Sequence, residues 1–152
     1  MAVIGVLAGS GLVPAASATI VIGQSIDGIK LGETQAQVQQ QLGPPGYKEP
    51  GNENVWGYPT NFEGRIGFEA TLHVGGMWTL SQKQKTNKGI GPGSSLAKLR
   101  KAYPKVRCAT GPFGPKSLIC TLKSKYEGRV VETTFPLFTR AMGVREVNIS
   151  FA

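Results

Sequence analysis

The chain has 152 residues, 17 of them Lys or Arg against 9 Asp or Glu, for a net charge of +8, and 40% of its residues are hydrophobic. Such a length allows one ordinary domain or two very small ones, and such an apolar content excludes a disordered chain. The 21 glycines and 10 prolines are scattered, which favours strands and turns over long helices.

Residues 1–18 read as an export signal. Ala2 to Val13 form an apolar stretch broken only by Gly and Ser, Pro14 follows, and Ala16-Ser17-Ala18 makes an A-x-A cleavage pattern. No Lys or Arg precedes the stretch, a departure from the usual charged start. The run is too short to span a bilayer, and no second one is longer, so no transmembrane span is expected. No cysteine stands near the cleavage pattern, so no lipid anchor is expected there. The expected product is a soluble protein starting near Thr19 and secreted, either extracellular or periplasmic.

Residues 19–82 make the first half. Gly28, Ile29 and Gly32 form a tight corner, and Thr34 then caps a helix, with Gln37 completing a T-x-x-Q capping box. Val38 and Leu42 supply the helix's buried stripe, and Gly43 stops it. Strand-like runs follow at 54–58, 65–74 and 77–82, after the turn Pro50-Gly51-Asn52. Residues 83–88 read as a linker.

Residues 89–152 repeat this grammar. Gly89, Ile90 and Gly93 form a corner, Ser95 caps a helix with the stripe Leu96, Leu99 and Tyr103, and Pro104 ends it. Strand-like runs follow at 105–110, 118–123, 129–135 and 144–151, with Glu127-Gly128 as a turn. Residues 28–43 and 89–104 align residue for residue in role, though only Gly, Ile, Gly and Ala coincide. The expected fold is α+β: two tandem repeats, each a helical corner and an antiparallel meander, with their sheets joined because neither half alone could bury much core. Cys108 and Cys120 are the only cysteines, and the Gly111-Pro112-Phe113-Gly114-Pro115 turn between them would bring two strands, and the two sulfurs, opposite one another as a disulfide.

The run Ile29-x-x-Gly32-x-Thr34-x-x-x-Val38-x-x-x-Leu42-Gly43-x-Pro45 resembles the helical corner of the small outer-membrane-assembly lipoproteins of the SmpA/OmlA type. The tandem layout resembles the secreted beta-lactamase inhibitory proteins, in which each repeat is a helix–loop–helix followed by a four-stranded sheet. The chain lacks the lipoprotein's lipobox cysteine. It also has one cysteine pair where the inhibitors have a disulfide in each repeat. The inhibitor resemblance implies that an early hairpin of the first repeat carries a carboxylate into an enzyme's active site. By position that hairpin is Glu49-Pro50-Gly51-Asn52-Glu53, with Trp56, Tyr58 and Trp78 as aromatic anchors unless they belong to the core.

Catalytic chemistry finds little support. His73 is the single histidine, Asp27 is the single aspartate, and no context pairs them. One histidine without clustered carboxylates falls short of a metal site, and no cofactor is implied. Glu63 with Glu69, or Glu132 with Glu146, are the carboxylate pairs a glycosidase would need, but solvent-facing charge is the simpler reading. The loop from Gly89 to Ser95, with Lys88 beside it, resembles a phosphate cradle, yet no apolar strand precedes it. A corner of the second half explains it better.

The sharpest signal is charge. Between Ala70 and Tyr126 stand eleven Lys and Arg and no Asp or Glu. Lys98, Lys101 and Lys105 recur at i, i+3 and i+7, opposite Leu96, Leu99 and Tyr103, and Lys88 and Arg107 flank them. A merely solvated face normally mixes both signs. The expected partner is therefore anionic: an envelope polymer, an anionic lipid surface or an acidic protein. Nucleic acid is disfavoured by the export signal and by the lack of a recognised nucleic-acid module. The expected function is that of a non-enzymatic binding protein, with inhibition of a secreted enzyme such as a beta-lactamase as the alternative.

Overall fold

The structure, a computed structural model, describes residues 19–60, 62–139 and 141–152. The export signal expected at residues 1–18 lies outside the described residues.

Three two-residue strands open the first half: β1 (Ile20–Val21), β2 (Ser25–Ile26) and β3 (Ile29–Lys30), paired in that order. They are short because the chain turns every few residues. Asp27 and Gly28 both take positive φ, 51° and 85°, which is the two-residue hairpin geometry that Asp-Gly favours. The helix α1 (Gln35–Leu42) follows, with the full Thr34–Gln37 capping box in place. The helix–loop–helix expected for each half is thus corrected. Each half has one helix among the described residues, and small strands stand where the first half's other helix was expected.

A meander comes next: β4 (Tyr47–Glu49), β5 (Asn52–Tyr58), β6 (Gly64–Phe68) and β7 (Val74–Thr79). The strand expected over 65–74 ends early. Glu69 N donates to His73 O at 2.8 Å, and Leu72 takes φ 60°, so residues 69–73 form the β6–β7 turn. The second half has α2 (Leu96–Ala102), capped by Ser95, and then β8 (Arg107–Thr110), β9 (Leu118–Tyr126), β10 (Arg129–Leu137) and β11 (Val147–Phe151). Glu127 and Gly128, with φ 50° and 79°, make the tight turn between β9 and β10. β11 starts later than expected because Val144 bonds back to the Gly93–Ser94 corner through both its N–H and its C=O.

Both meanders join one eight-stranded antiparallel sheet in the order β4-β5-β6-β7-β11-β10-β9-β8. Its seam is the pairing of the last strand of each meander, with Val147 opposite Thr79 and Ile149 opposite Met77. The architecture is α+β.

The two sheet faces differ. Along one run Trp56, Ile66, Met77, Ile149, Thr133 and Leu122, cross-strand neighbours in that order. This face packs against Val38 of α1, Leu99 of α2 and the isoleucines of β1–β3 in a single apolar core. Phe62, Phe135 and Leu137 are fully buried in it, each contributing roughly 1.5–3 kcal/mol by area. The segment expected to be a linker is corrected by the same packing. Gln84 and Thr86 are buried, Thr19 and Ile20 donate to Lys85 O, and the Thr86 hydroxyl accepts from Lys88 N and Ile90 N. It is a strap sewn into both halves.

Among the described residues, no helix covers the opposite face. One unbroken row crosses all eight strands there: Tyr47, Gly57, Arg65, Trp78, Asn148, Thr134, Thr121 and Arg107.

Candidate functional site

The basic surface of the second half is built by α2, β8 and β9. On α2, Leu99 is fully buried and its opposite face exposes Lys98 and Lys101. Pro104 follows the helix, Val106 N bonds back to Tyr103 O at 2.9 Å, and the chain turns into β8. In the β8–β9 ladder Cys108 stands opposite Cys120, with an S–S bond of 2.04 Å, and Arg107 stands opposite Thr121. The result is a groove of about 750 Å³ lined by Pro104, Lys105, Val106, Arg107, Thr121, Leu122 and Lys123. Three cations thus converge on one concavity.

The residues expected to bind an anion fall into three groups. Lys105 and Arg107 line the groove. Lys98 and Lys101 stand on the exposed helix face that leads to it. Lys88 is set apart: its Nζ donates to Ala102 O at 2.9 Å at the C-terminal end of α2 and lies 4.9 Å from the centre of the Tyr103 ring. Both contacts suit a cation at a helix C-terminus, so Lys88 is a structural residue. Lys123, which the helical stripe did not include, belongs to the groove. A signal for it was present: counting outward from Cys108 opposite Cys120 sets Arg107 by Thr121 and Lys105 towards Lys123. Among the described residues four ion pairs form, and in this region only Lys123 takes part, with Glu132 at 2.9 Å. Lys85 is turned inward, its Nζ 2.6 Å from Pro92 O, and burial, with Lys98 nearby, lowers its pKa.

The inhibitor-like residues are divided by the sheet. Trp56 and Tyr58 are 3% and 4% exposed, so they are core residues and not aromatic anchors, a correction that follows from strand alternation. Trp56 meets Phe68 edge-on at 4.7 Å, and Tyr58 meets Phe62 at 6.4 Å. Trp78 lies on the open face beside Arg65, whose guanidinium stands 5.9 Å from both the Trp78 and Tyr47 rings. Arg65 also donates through Nε to the Tyr47 hydroxyl and through Nη1 alone to both carboxylate oxygens of Glu49; the Tyr47 bond leads in raising its pKa. Tyr47 reaches this place because Gly57 leaves room: a Cβ there would sit 2.1 Å from the Tyr47 ring. Glu49 is therefore occupied inside its own sheet. Glu53, at the far side of the β4–β5 turn, keeps a side chain 76% exposed and only a 3.9 Å contact to Lys48.

The other candidates lose their chemistry in the structure. Glu69 is held by Arg129, and the hydrogen bond from that guanidinium leads in lowering its pKa. Glu132 is bound by Lys123, and Glu146 accepts from Asn148. His73 is exposed, with Nδ1 2.8 Å from Thr71 O. In the glycine-rich loop Ile90, Gly91 and Ser94 all donate internally: Ile90 N to the Thr86 hydroxyl, Gly91 N to the Ser94 hydroxyl and Ser94 N to Gly91 O. It is a buried corner, not an anion cradle.

The geometry places two ion pairs in the sheet of the first half and a basic groove in the second. Residues 18–75 match the outer membrane protein assembly factor BamE domain. That is the family whose helical corner the first half resembles. The BamE-like segment runs from the edge of β1 through α1 into β7, so the seam strand β11 and the groove lie outside it. Comparison with curated proteins and with solved structures found no match. No helix among the described residues is long and apolar enough to cross a membrane.

Proposed function

We propose that this chain is a non-enzymatic binding protein of the cell envelope, exported from the cytoplasm, that docks an anionic partner through its second half. One observation carries the reading: Lys105, Arg107 and Lys123 line a single groove within a stretch from Ala70 to Tyr126 that has no acidic residue. The BamE-like first half supports the envelope setting. We read the two halves as tandem versions of one unit, laid out as in the beta-lactamase inhibitory proteins. Each has a capped helix and a four-stranded meander, and they meet through their last strands. In this arrangement the second half supplies the charge.

The test is retention of the protein on isolated envelope material as salt is raised. Exposed lysines and arginines that neutralise a polyanion release counterions, so retention should fall steeply between low and physiological salt. The variant Lys101→Glu/Lys105→Glu/Arg107→Glu should lose retention while keeping its circular dichroism spectrum. Retention indifferent to both salt and the triple reversal would sink the proposal.

A second reading, inhibition of a secreted enzyme such as a beta-lactamase, draws on the β4–β5 hairpin. It carries Glu53, its side chain 76% exposed, next to the edge strand β4 of the sheet whose open face bears Trp78 and Arg65. An absence of inhibition across a beta-lactamase panel at micromolar protein would remove it.

A further inference from the structure

We infer that the groove's occupant is an acidic, extended polypeptide segment that joins the sheet as a strand beside the second half of β9. This rests on the anion-docking reading above and specifies its partner.

β9 outruns its neighbour. β8 pairs with Leu118 to Thr121 only, whereas β9 continues to Tyr126 and pairs along its whole length with β10. Among the described residues, no strand lies against the outer edge of β9 beyond Thr121. The ladder fixes which backbone groups face that edge. Gly111 N donates to Ser117 O at 3.0 Å where the β8–β9 ladder meets its loop. Hydrogen-bonded positions recur every second residue in an antiparallel pair. Ile119 and Thr121 therefore aim N–H and C=O at β8. Lys123 and Lys125 continue the alternation and aim theirs past the end of β8. An unpaired edge of this kind is a template for an added strand.

The side chains restrict what can be added. Lys123 and Lys125 are exposed on the face that also carries Arg107, and Lys105 lies across the groove. Lys123 already meets Glu132, but the residue opposite Lys125 on β10 is Val130, so no acid answers it there. The strand turns Leu122, just before Lys123, and Ser124, between the two lysines, to the other face, where Leu122 and Val106 are half-buried and line the groove. In an added strand, residues directly opposite Lys123 and Lys125 would share their face at about 5 Å. Acidic side chains fit there; the residue between them would lie beside Ser124, and the residue beyond the acid facing Lys123 would fall against Leu122 and Val106. The preferred segment thus alternates, with acids facing the two lysines and an apolar residue following the acid that faces Lys123. A polysaccharide or lipid head group offers no row of amides for this edge, so a polypeptide satisfies both the charge and the backbone.

The experiment is fluorescence anisotropy of the labelled peptide Ac-Glu-Val-Glu-Val-Glu-amide with the full chain. Saturable binding is expected. N-methylation at the glutamates, whose amides would face β9, should weaken it by about tenfold or more. N-methylation at the valines should leave it within about twofold, since two rim amides lost to solvent matter little. On the protein side, Lys125→Pro removes the outward N–H and Lys125→Gln removes only the charge, so the proline variant should bind more weakly. A peptide that binds equally well when methylated at the glutamates, or a block-scrambled Glu-Glu-Glu-Val-Val peptide that binds as tightly, overturns strand addition. So does failure of the parent peptide to bind. In each case the salt-sensitive retention on envelope material judges the anion-docking reading separately.

Discussion

The two halves share an order of elements and differ in how they treat charge. In the first, Lys48 on β4 is matched by Glu53 on the adjacent β5, and Arg65 on β6 reaches across β5 to Glu49 on β4. In the second, Lys98, Lys101, Lys105 and Arg107 stand exposed and enter none of the four ion pairs of the described residues. The core contributions are alike: Val38 and Leu99 occupy corresponding helix positions, and Ile29 and Ile90 corresponding corners. The lesson is that burial sets this fold and charge is free to vary on its surface. A common scaffold can therefore carry a sheet with internal ion pairs on one side and an open basic groove on the other.

The strongest way to break the comparison is through the core. Phe62 and Phe135 belong to different halves but to one apolar cluster. Phe62→Ala and Phe135→Ala should each cost about 3–5 kcal/mol, and each should lower the same single urea transition, followed by tryptophan fluorescence for the first half and far-ultraviolet circular dichroism for the whole. Two separated transitions would mean independent halves. The disulfide sharpens the contrast next, because only the second half has one. Cys108→Ala/Cys120→Ala should cost roughly 3 kcal/mol through the unfolded chain and loosen the β8–β9 register, so hydrogen exchange should rise in residues 107–110 before it rises in β5 or β6. The helix caps come third. Thr34 makes both bonds of a capping box and Ser95 accepts one, so Thr34→Ala should cost about 1 kcal/mol and Ser95→Ala less.

The smallest effect is a pH dependence. Arg129 holds Glu69 below its ordinary pKa. A carboxylate depressed in the folded state contributes its full stability above the unfolded pKa and loses it as pH falls through the folded value. Wild-type stability should thus decline on the acid side of the ordinary carboxylate range, and Glu69→Gln should flatten part of that decline. An identical acid limb in the variant would show that the pair contributes nothing measurable, a common result for exposed pairs.

Much of this was legible in the residues. Thr34 with Gln37, and Ser95, announced both helix starts through capping chemistry, and the turn between Cys108 and Cys120 announced the hairpin that joins them. β4 was not legible: Tyr-Lys-Glu has no apolar alternation, and it becomes a strand because β5 offers it an edge. The small strands before α1 were missed for the opposite reason. Their isoleucines are buried, but glycines cut the runs too short for any period to show. The aromatic anchors failed on facing. Trp56 and Trp78 sit on similar strands, and only the register, with Trp56 opposite Ile66 and Trp78 opposite Arg65, sends one inward and the other outward. The groove was half legible: the lysines on α2 follow from helical period, whereas Lys123 enters through a ladder that periodicity along one strand cannot see.

The seam of the sheet has a consequence in time. β11 is the last strand in chain order, yet it lies in the middle of the sheet, between β7 and β10. The central ladder therefore waits on contacts between residues as distant as Thr79 and Val147, and such non-local pairing slows folding. A chain threaded through a membrane from its first residue would emerge with β7 and β10 both lacking their shared neighbour. Until β11 arrives it would stay open, with two sticky edges exposed to whatever chaperone or misfolded neighbour meets them first.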